Sequence, residues 1–189
     1  ALAILAIPLI STLFYYGAFT KTDILMTQYA LVAYSIGLVG LILIKILAPA
    51  FYAQQNIKTP VKIALFTLFC TQFMNLIFIG YLKHTGLALA IGLGACINAG
   101  LLFYNLKKGK VFKLNSGWPI FLSKIIVAAF IMALGLIYFK GSIELWVNYS
   151  ALSRFSHLIA LILFGTTIYF LTLKIFRLDV TDFFKKTIH

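Results

Sequence analysis

The sequence predicts an all-α integral membrane protein of about six transmembrane helices, on three observations. Charged residues make up only 11% of the chain, whereas a soluble domain carries about a quarter. Apolar runs of around 20 residues recur along the whole length, each matched to a hydrocarbon core about 30 Å thick. Those runs must be helical, because an open strand in lipid would leave backbone donors and acceptors unpaired.

The first apolar segment is Ala1 to Tyr16, closed by a turn at Gly17 and the polar run from Thr20 to Asp23. It lacks an initiator Met and a basic n-region, so it reads as a span entered partway rather than as a signal peptide, and the chain as a fragment. The second segment runs from Ile24 to Leu47, where Pro49 is expected to stop it. The third begins at Pro60 or Val61 and ends near Gly80 and Tyr81; the fourth runs from Thr85 to Leu106. The fifth spans Trp118 to Phe139, with Trp118 suited to interfacial anchoring, and the sixth spans Leu152 to Phe176. Short connections make consecutive helices antiparallel neighbours. The expected organisation is four spans in residues 1–106, a basic loop at 107–117, two more spans in 118–178 and a tail at 179–189.

The net charge of +12 does not call for a nucleic-acid partner, because the basic residues sit between spans or at their ends, where anionic lipid head groups attract them. One set of ends carries Lys45, Lys58, Lys62, Lys107, Lys108, Lys110, Lys113, Lys124, Lys174, Arg177, Lys185 and Lys186; the other carries Lys21, Lys83, Lys140 and Arg154, a division of 12 against 4. The richer side is expected to be cytoplasmic. That places the loop from Lys45 to Ala64 and the C-terminus in the cytoplasm, with Lys45, Lys58 and Lys62 as interface charges. Lys45 can also be read simply as a lysine snorkelling from a helix end.

Chemistry at the level of catalysis has few carriers. The four carboxylates, Asp23, Glu144, Asp179 and Asp182, all fall in loops or the tail, and His84, His157 and His189 form no pair. Cys70 and Cys96 lie inside spans as small apolar residues, without ligand spacing. No catalytic residue, metal or cofactor is expected. Asn148 opens a glycosylation sequon, a pattern too short to carry an argument. His157 reads either as a structural histidine or as a ligand.

Three polar positions inside spans stand out. Thr71 and Asn75 are four apart and share a helix face, and Asn98 lies in the next span. Such groups point inward, either as hydrogen-bond glue between helices or as the lining of an ion or substrate path. The fourth span carries two rows of small residues, Gly86, Ala90, Gly94 and Ala88, Gly92, Cys96, Gly100. They suit either tight backbone packing or a smooth surface for sliding. In the loop, Thr59 can cap the following helix with Pro60 in its first turn. Pro49 and Pro60 are then candidate hinge positions, or the ends of a mere connector.

From Leu43 to Tyr104 the chain reads LIKILAPAFYAQQNIKTPVKIALFTLFCTQFMNLIFIGYLKHTGLALAIGLGACINAGLLFY, and here it closely resembles the MurJ (MviN) family of lipid II flippases, within the multidrug/oligosaccharidyl-lipid/polysaccharide exporter superfamily. The likeness extends from PLISTLFYYGAFTKTD to the tail FKKT, and LAPAFYA…KTPVKIA is its most specific part. The resemblance implies the last part of a fourteen-helix, two-lobe flippase. The first four spans would be the last four helices of the second lobe, and the final two an extra C-terminal pair, similar to the part that forms a groove for the lipid tail.

The implied activity is outward movement of undecaprenyl-pyrophosphate-linked peptidoglycan precursor across the bacterial inner membrane by alternating access. The implied partners are lipid II, membrane lipids and the missing N-terminal helices. The family's cavity arginines belong to those earlier helices, so none carries over to this chain. Some members bind sodium near counterparts of the third and fourth spans; those spans have no carboxylate here, only residues such as Thr71 and Asn75. Asn56 stands where the family often has Asp. A related exporter of another polyprenyl-linked saccharide or a drug, and a non-transport membrane scaffold, remain alternatives.

Overall fold

The computed structural model describes residues 1–109 and 118–176, without the side chains of Lys83, His84, Trp118 and Pro119. Expectations for Lys110, Lys113, the anchoring role of Trp118, Arg177 and the tail 179–189 lie outside the described residues. The elements are α1 (Ala6–Phe14), α2 (Lys21–Ala53), α3 (Lys58–Lys108), α4 (Trp118–Phe139), α5 (Ile143–Asn148) and α6 (Ala151–Ile175). Five segments are long and apolar enough to cross a membrane: Lys21–Ala53, Lys58–Leu82, Thr85–Lys108, Ile120–Phe139 and Ala151–Ile175. The chain is an all-α integral membrane protein. The first apolar segment is the exception to the expected spans, because its helix has only 9 residues, about 14 Å of rise.

The helices divide into two compact units, α2 with α3 and α1 with α4, α5 and α6. In the first, Thr20 starts α2 with a capping box: the Asp23 amide donates to Thr20 Oγ1 at 3.3 Å and the Thr20 amide donates to Asp23 Oδ2 at 2.8 Å. Gly17, at φ +60°, supplies the left-handed residue of the preceding turn.

Pro49 lies inside α2 and does not end it, contrary to the expectation from sequence. Its missing amide removes one bond to the Lys45 carbonyl. The extra turn persists because Leu47 and Phe51 bury themselves against Ile63, Leu102 and Leu106. The true stop comes at Gln54–Asn56. The Gln55 amide donates to Tyr52 O at 2.9 Å and the Asn56 amide to Phe51 O at 3.0 Å, the bond pair of a Schellman cap. Gln55 occupies the left-handed position, φ 57°, where glycine is usual.

α3 is assigned as one helix of 51 residues, which drawn straight would measure about 77 Å. It reverses instead: Asn98 Nδ2 donates to Thr67 Oγ1 at 3.3 Å across 31 residues of sequence. Lys58–Leu82 and Thr85–Lys108 are therefore two packed arms, the third and fourth expected spans. Gly86 makes the reversal possible, since a Cβ there would sit 2.5 Å from Phe78 O.

The second unit joins α1, which the sequence groups with residues 1–106, to the helices of residues 118–178. Its core is Leu5, Leu136, Trp146, Leu158 and Leu161, drawn from the start of the chain and from α4, α5 and α6. Lys124 Nζ donates to Phe176 O at 3.0 Å, closing the C-terminal end of α6 with a cation.

Candidate functional site

The polar face of the first arm of α3 is built by a four-residue spacing, Thr67, Thr71 and Asn75. Thr71 Oγ1 donates to Thr67 O at 2.8 Å, and Thr67 Oγ1 donates to Ala64 O at 3.0 Å while accepting from Asn98 Nδ2. The structure thus brings Asn98 to this face, but through Thr67, a residue the sequence reading missed. The signal was present, because Thr67 extends the Thr71–Asn75 row by one more step of four.

Thr71 packs against Gly94, whose hypothetical Cβ would lie 3.3 Å from Thr71 Cβ. Asn75 is 9% exposed, and its buried Oδ1 has no hydrogen-bond partner among the described residues. The group offers hydroxyls and amides, which can bind and orient but cannot exchange protons near neutral pH. Among the described residues no three His, Cys, Asp or Glu side chains gather as a metal site.

The two rows of small residues on the second arm face two neighbours. Gly86 and Gly94 meet Phe78 and Thr71 of the first arm, whereas Gly92 meets Gly37 and Cys96 meets Gly40, both on α2. A Cβ on Gly40 would lie 2.6 Å from the Cys96 nitrogen. Contact is backbone on backbone, the arrangement small residues permit in a bilayer. At Gly100 no described residue lies within 4 Å of where a Cβ would sit.

At the loop, α3 starts at Lys58 with Ile57 as its N-cap, so Thr59 lies inside the first turn rather than capping it. The side chain of Asn56, one residue before the cap, takes up a first-turn donor. Asn56 Oδ1 accepts from the Thr59 amide at 3.2 Å and from Thr59 Oγ1 at 3.1 Å. One residue therefore closes α2 with its amide and opens α3 with its side chain. Pro60 sits in the first turn, where its missing donor costs nothing, and is buried. Lys45, Lys58 and Lys62 are exposed, and the shared core of Leu47, Phe51, Ile63, Leu102 and Leu106 gathers them with Lys107 and Lys108 at one end of this unit.

In the other unit the dominant polar group is Arg154, 7% exposed, which the sequence reading used only as one of four charges on the poorer side. Its Nε donates to Tyr149 O at 3.0 Å and its Nη2 to Val147 O at 3.2 Å, both at the end of α5. Its Nη1 donates to Ser11 O at 3.3 Å and Tyr15 O at 3.0 Å, at the end of α1. The Tyr15 ring centroid is 4.8 Å from its Cζ. Among the described residues no carboxylate takes part in these contacts.

Beside it lies a cavity of about 370 Å³ lined by Phe139, Lys140, Leu145, Trp146, Tyr149 and His157. Trp146 Nε1 donates to Lys140 O at 2.6 Å. His157 stacks on Tyr149 with centroids 4.8 Å apart, and its Nδ1 lies 2.8 Å from Ser153 O. These contacts fit the structural reading of His157.

A family model described as lipid II flippase MurJ matches residues 1–157. A lipid II flippase MurJ of Burkholderia cenocepacia is 44% identical over 172 residues, covering 90% of this chain and 33% of that protein. Probable lipid II flippases of Buchnera aphidicola subsp. Schizaphis graminum and Haemophilus influenzae are 38% and 35% identical, covering 95% and 91% of the chain and 35% and 34% of those proteins. The chain spans about a third of the length of the curated relatives it matches.

Proposed function

Since this chain belongs to the lipid II flippase MurJ family, we propose that it is the C-terminal part of a transporter that moves undecaprenyl-pyrophosphate-linked peptidoglycan precursor outward across the bacterial inner membrane. The observation that carries this reading is the match over residues 1–157, which takes in both packed units from α1 to the first turns of α6. Residues 1–106 then belong to the second transport lobe and residues 118–178 form the extra C-terminal pair. The lobe's partners are the remaining helices of the whole protein and the lipids around it.

Translocation makes and breaks no covalent bond, so the task is binding and conformational change rather than catalysis. The residues are suited to that. Thr71, Asn75 and Asn98 supply neutral polar groups at a helix seam, and the Pro49–Pro60 segment supplies a defined joint. Exposed Lys45, Lys58 and Lys62 at one end support a cytoplasmic position for that end, and with it a cytoplasmic C-terminus.

The test is complementation with the complete reading frame in cells depleted of their own flippase. Rescue, with labelled lipid II reaching the outer leaflet, is the expected result. A correctly inserted complete protein that fails to rescue would return the chain to a related exporter or a scaffold. Residues 1–189 alone are expected not to rescue, because alternating access needs two lobes.

A further inference from the structure

We propose that Arg154 is a positioning residue for translocation: it fastens the C-terminal ends of α1 and α5 to the start of α6 and thereby fixes one wall of the neighbouring aromatic cavity. The transport half of this inference rests on the flippase reading; the fastening itself does not.

A cation in the first turns of a helix meets the positive end of the dipole, so helix preference does not explain an arginine at this place in α6. Its partners do explain it. The last carbonyls of any helix lack intrahelical donors, and two helix ends converge here. The guanidinium spends its planar fork on Ser11 O and Tyr15 O of one end and on Val147 O and Tyr149 O of the other. Both client helices are short, with 9 and 6 residues, and helices of that length are marginal without outside support.

The connection to the cavity runs through Tyr149. Its carbonyl is held by Arg154, while its ring stacks on His157 at the cavity wall. Trp146, one turn of α5 away, is 3% exposed and anchors the same wall in the core with Leu5 and Leu158. Loosening Arg154 therefore frees α1, α5 and the wall together. Lysine cannot substitute, because a point charge on a flexible stem does not match carbonyls spread around a rigid plane.

The test uses the complete protein in lipid nanodiscs, carrying Arg154→Met or Arg154→Lys, with amide hydrogen exchange and lipid II translocation as paired readouts. In Arg154→Met, exchange should rise about tenfold or more in Ala6–Phe14 and Ile143–Asn148, and translocation should fall by a similar factor. Exchange in Thr85–Lys108 should stay unchanged. Arg154→Lys should recover neither readout fully.

Unchanged exchange in both client helices overturns the proposal, as does wild-type translocation alongside raised exchange, or complete recovery by lysine. Should Arg154→Met not accumulate in the membrane, Arg154→Lys decides by the same two measurements. A wild-type protein that moves no lipid II refutes the flippase reading instead, and hydrogen exchange then decides the fastening alone.

Discussion

Asn98 and Thr67 face each other across the reversal of α3, with Nδ2 and Oγ1 3.3 Å apart. Such a bond between helices in a bilayer is worth about 0.6 kcal/mol on average and up to about 1.7 kcal/mol. A double-mutant cycle of Asn98→Leu and Thr67→Val, read by thermal unfolding of the complete protein in detergent, should give a coupling within that range. Additive effects would mean that the two residues stabilise their arms independently.

The glycines of the α2–α3 contact separate by what surrounds them. Gly40→Ala drives a methyl into the Cys96 backbone and should destabilise by about 1–3 kcal/mol, the usual cost of overpacking. Gly100→Ala meets nothing within 4 Å among the described residues, removes a flexible helical glycine, and should stabilise by about 0.5–1 kcal/mol. The pair is compared in one unfolding series. Equal effects at both sites would show that the close approach of α2 to the second arm does not limit stability.

The seam also contains a liability. Asn75 Oδ1 is buried without a donor among the described residues, and an orphaned acceptor costs about 1–3 kcal/mol. Asn75→Leu should therefore leave stability unchanged or raise it, while on the proposed flippase reading translocation falls where the amide serves the substrate path. Marked destabilisation with normal translocation would assign Asn75 to packing alone.

Much of this architecture was legible because hydrophobic length speaks directly in a membrane protein. The third and fourth spans, and the break between them, were visible in the sequence although helical backbone runs through the reversal. The Thr71–Asn75 face and Asn98 were visible in the sequence, but Thr67 as the partner of Asn98 was not, since pairing across 31 residues depends on where α3 turns. Pro49 misled because the local rule against proline in a helix was outweighed by burial of Phe51 beyond it, in the same cluster as Leu47 before it. Arg154 was invisible as anything but a charge. Its acceptors are main-chain carbonyls, which every sequence supplies and none marks, and two of them lie 143 and 139 residues away.

The loop between α2 and α3 yields the sharpest separation of joint from connector. Gln55 holds φ 57°, a conformation that costs a side-chain-bearing residue about 1–2 kcal/mol, so Gln55→Gly should stabilise the folded protein by about 1 kcal/mol without changing the cap. Asn56→Ala should lose about 0.5–2 kcal/mol, because Thr59 would lose its acceptor at the start of α3. Pro49→Ala restores the amide that can bond the Lys45 carbonyl and should stiffen the last turns of α2. These three variants move stability in different directions, so translocation can be compared with each. If Pro49 and Pro60 form a joint, translocation falls in Pro49→Ala although that protein is no less stable than wild type. If translocation follows stability alone across Gln55→Gly, Asn56→Ala and Pro49→Ala, the loop only connects two helices.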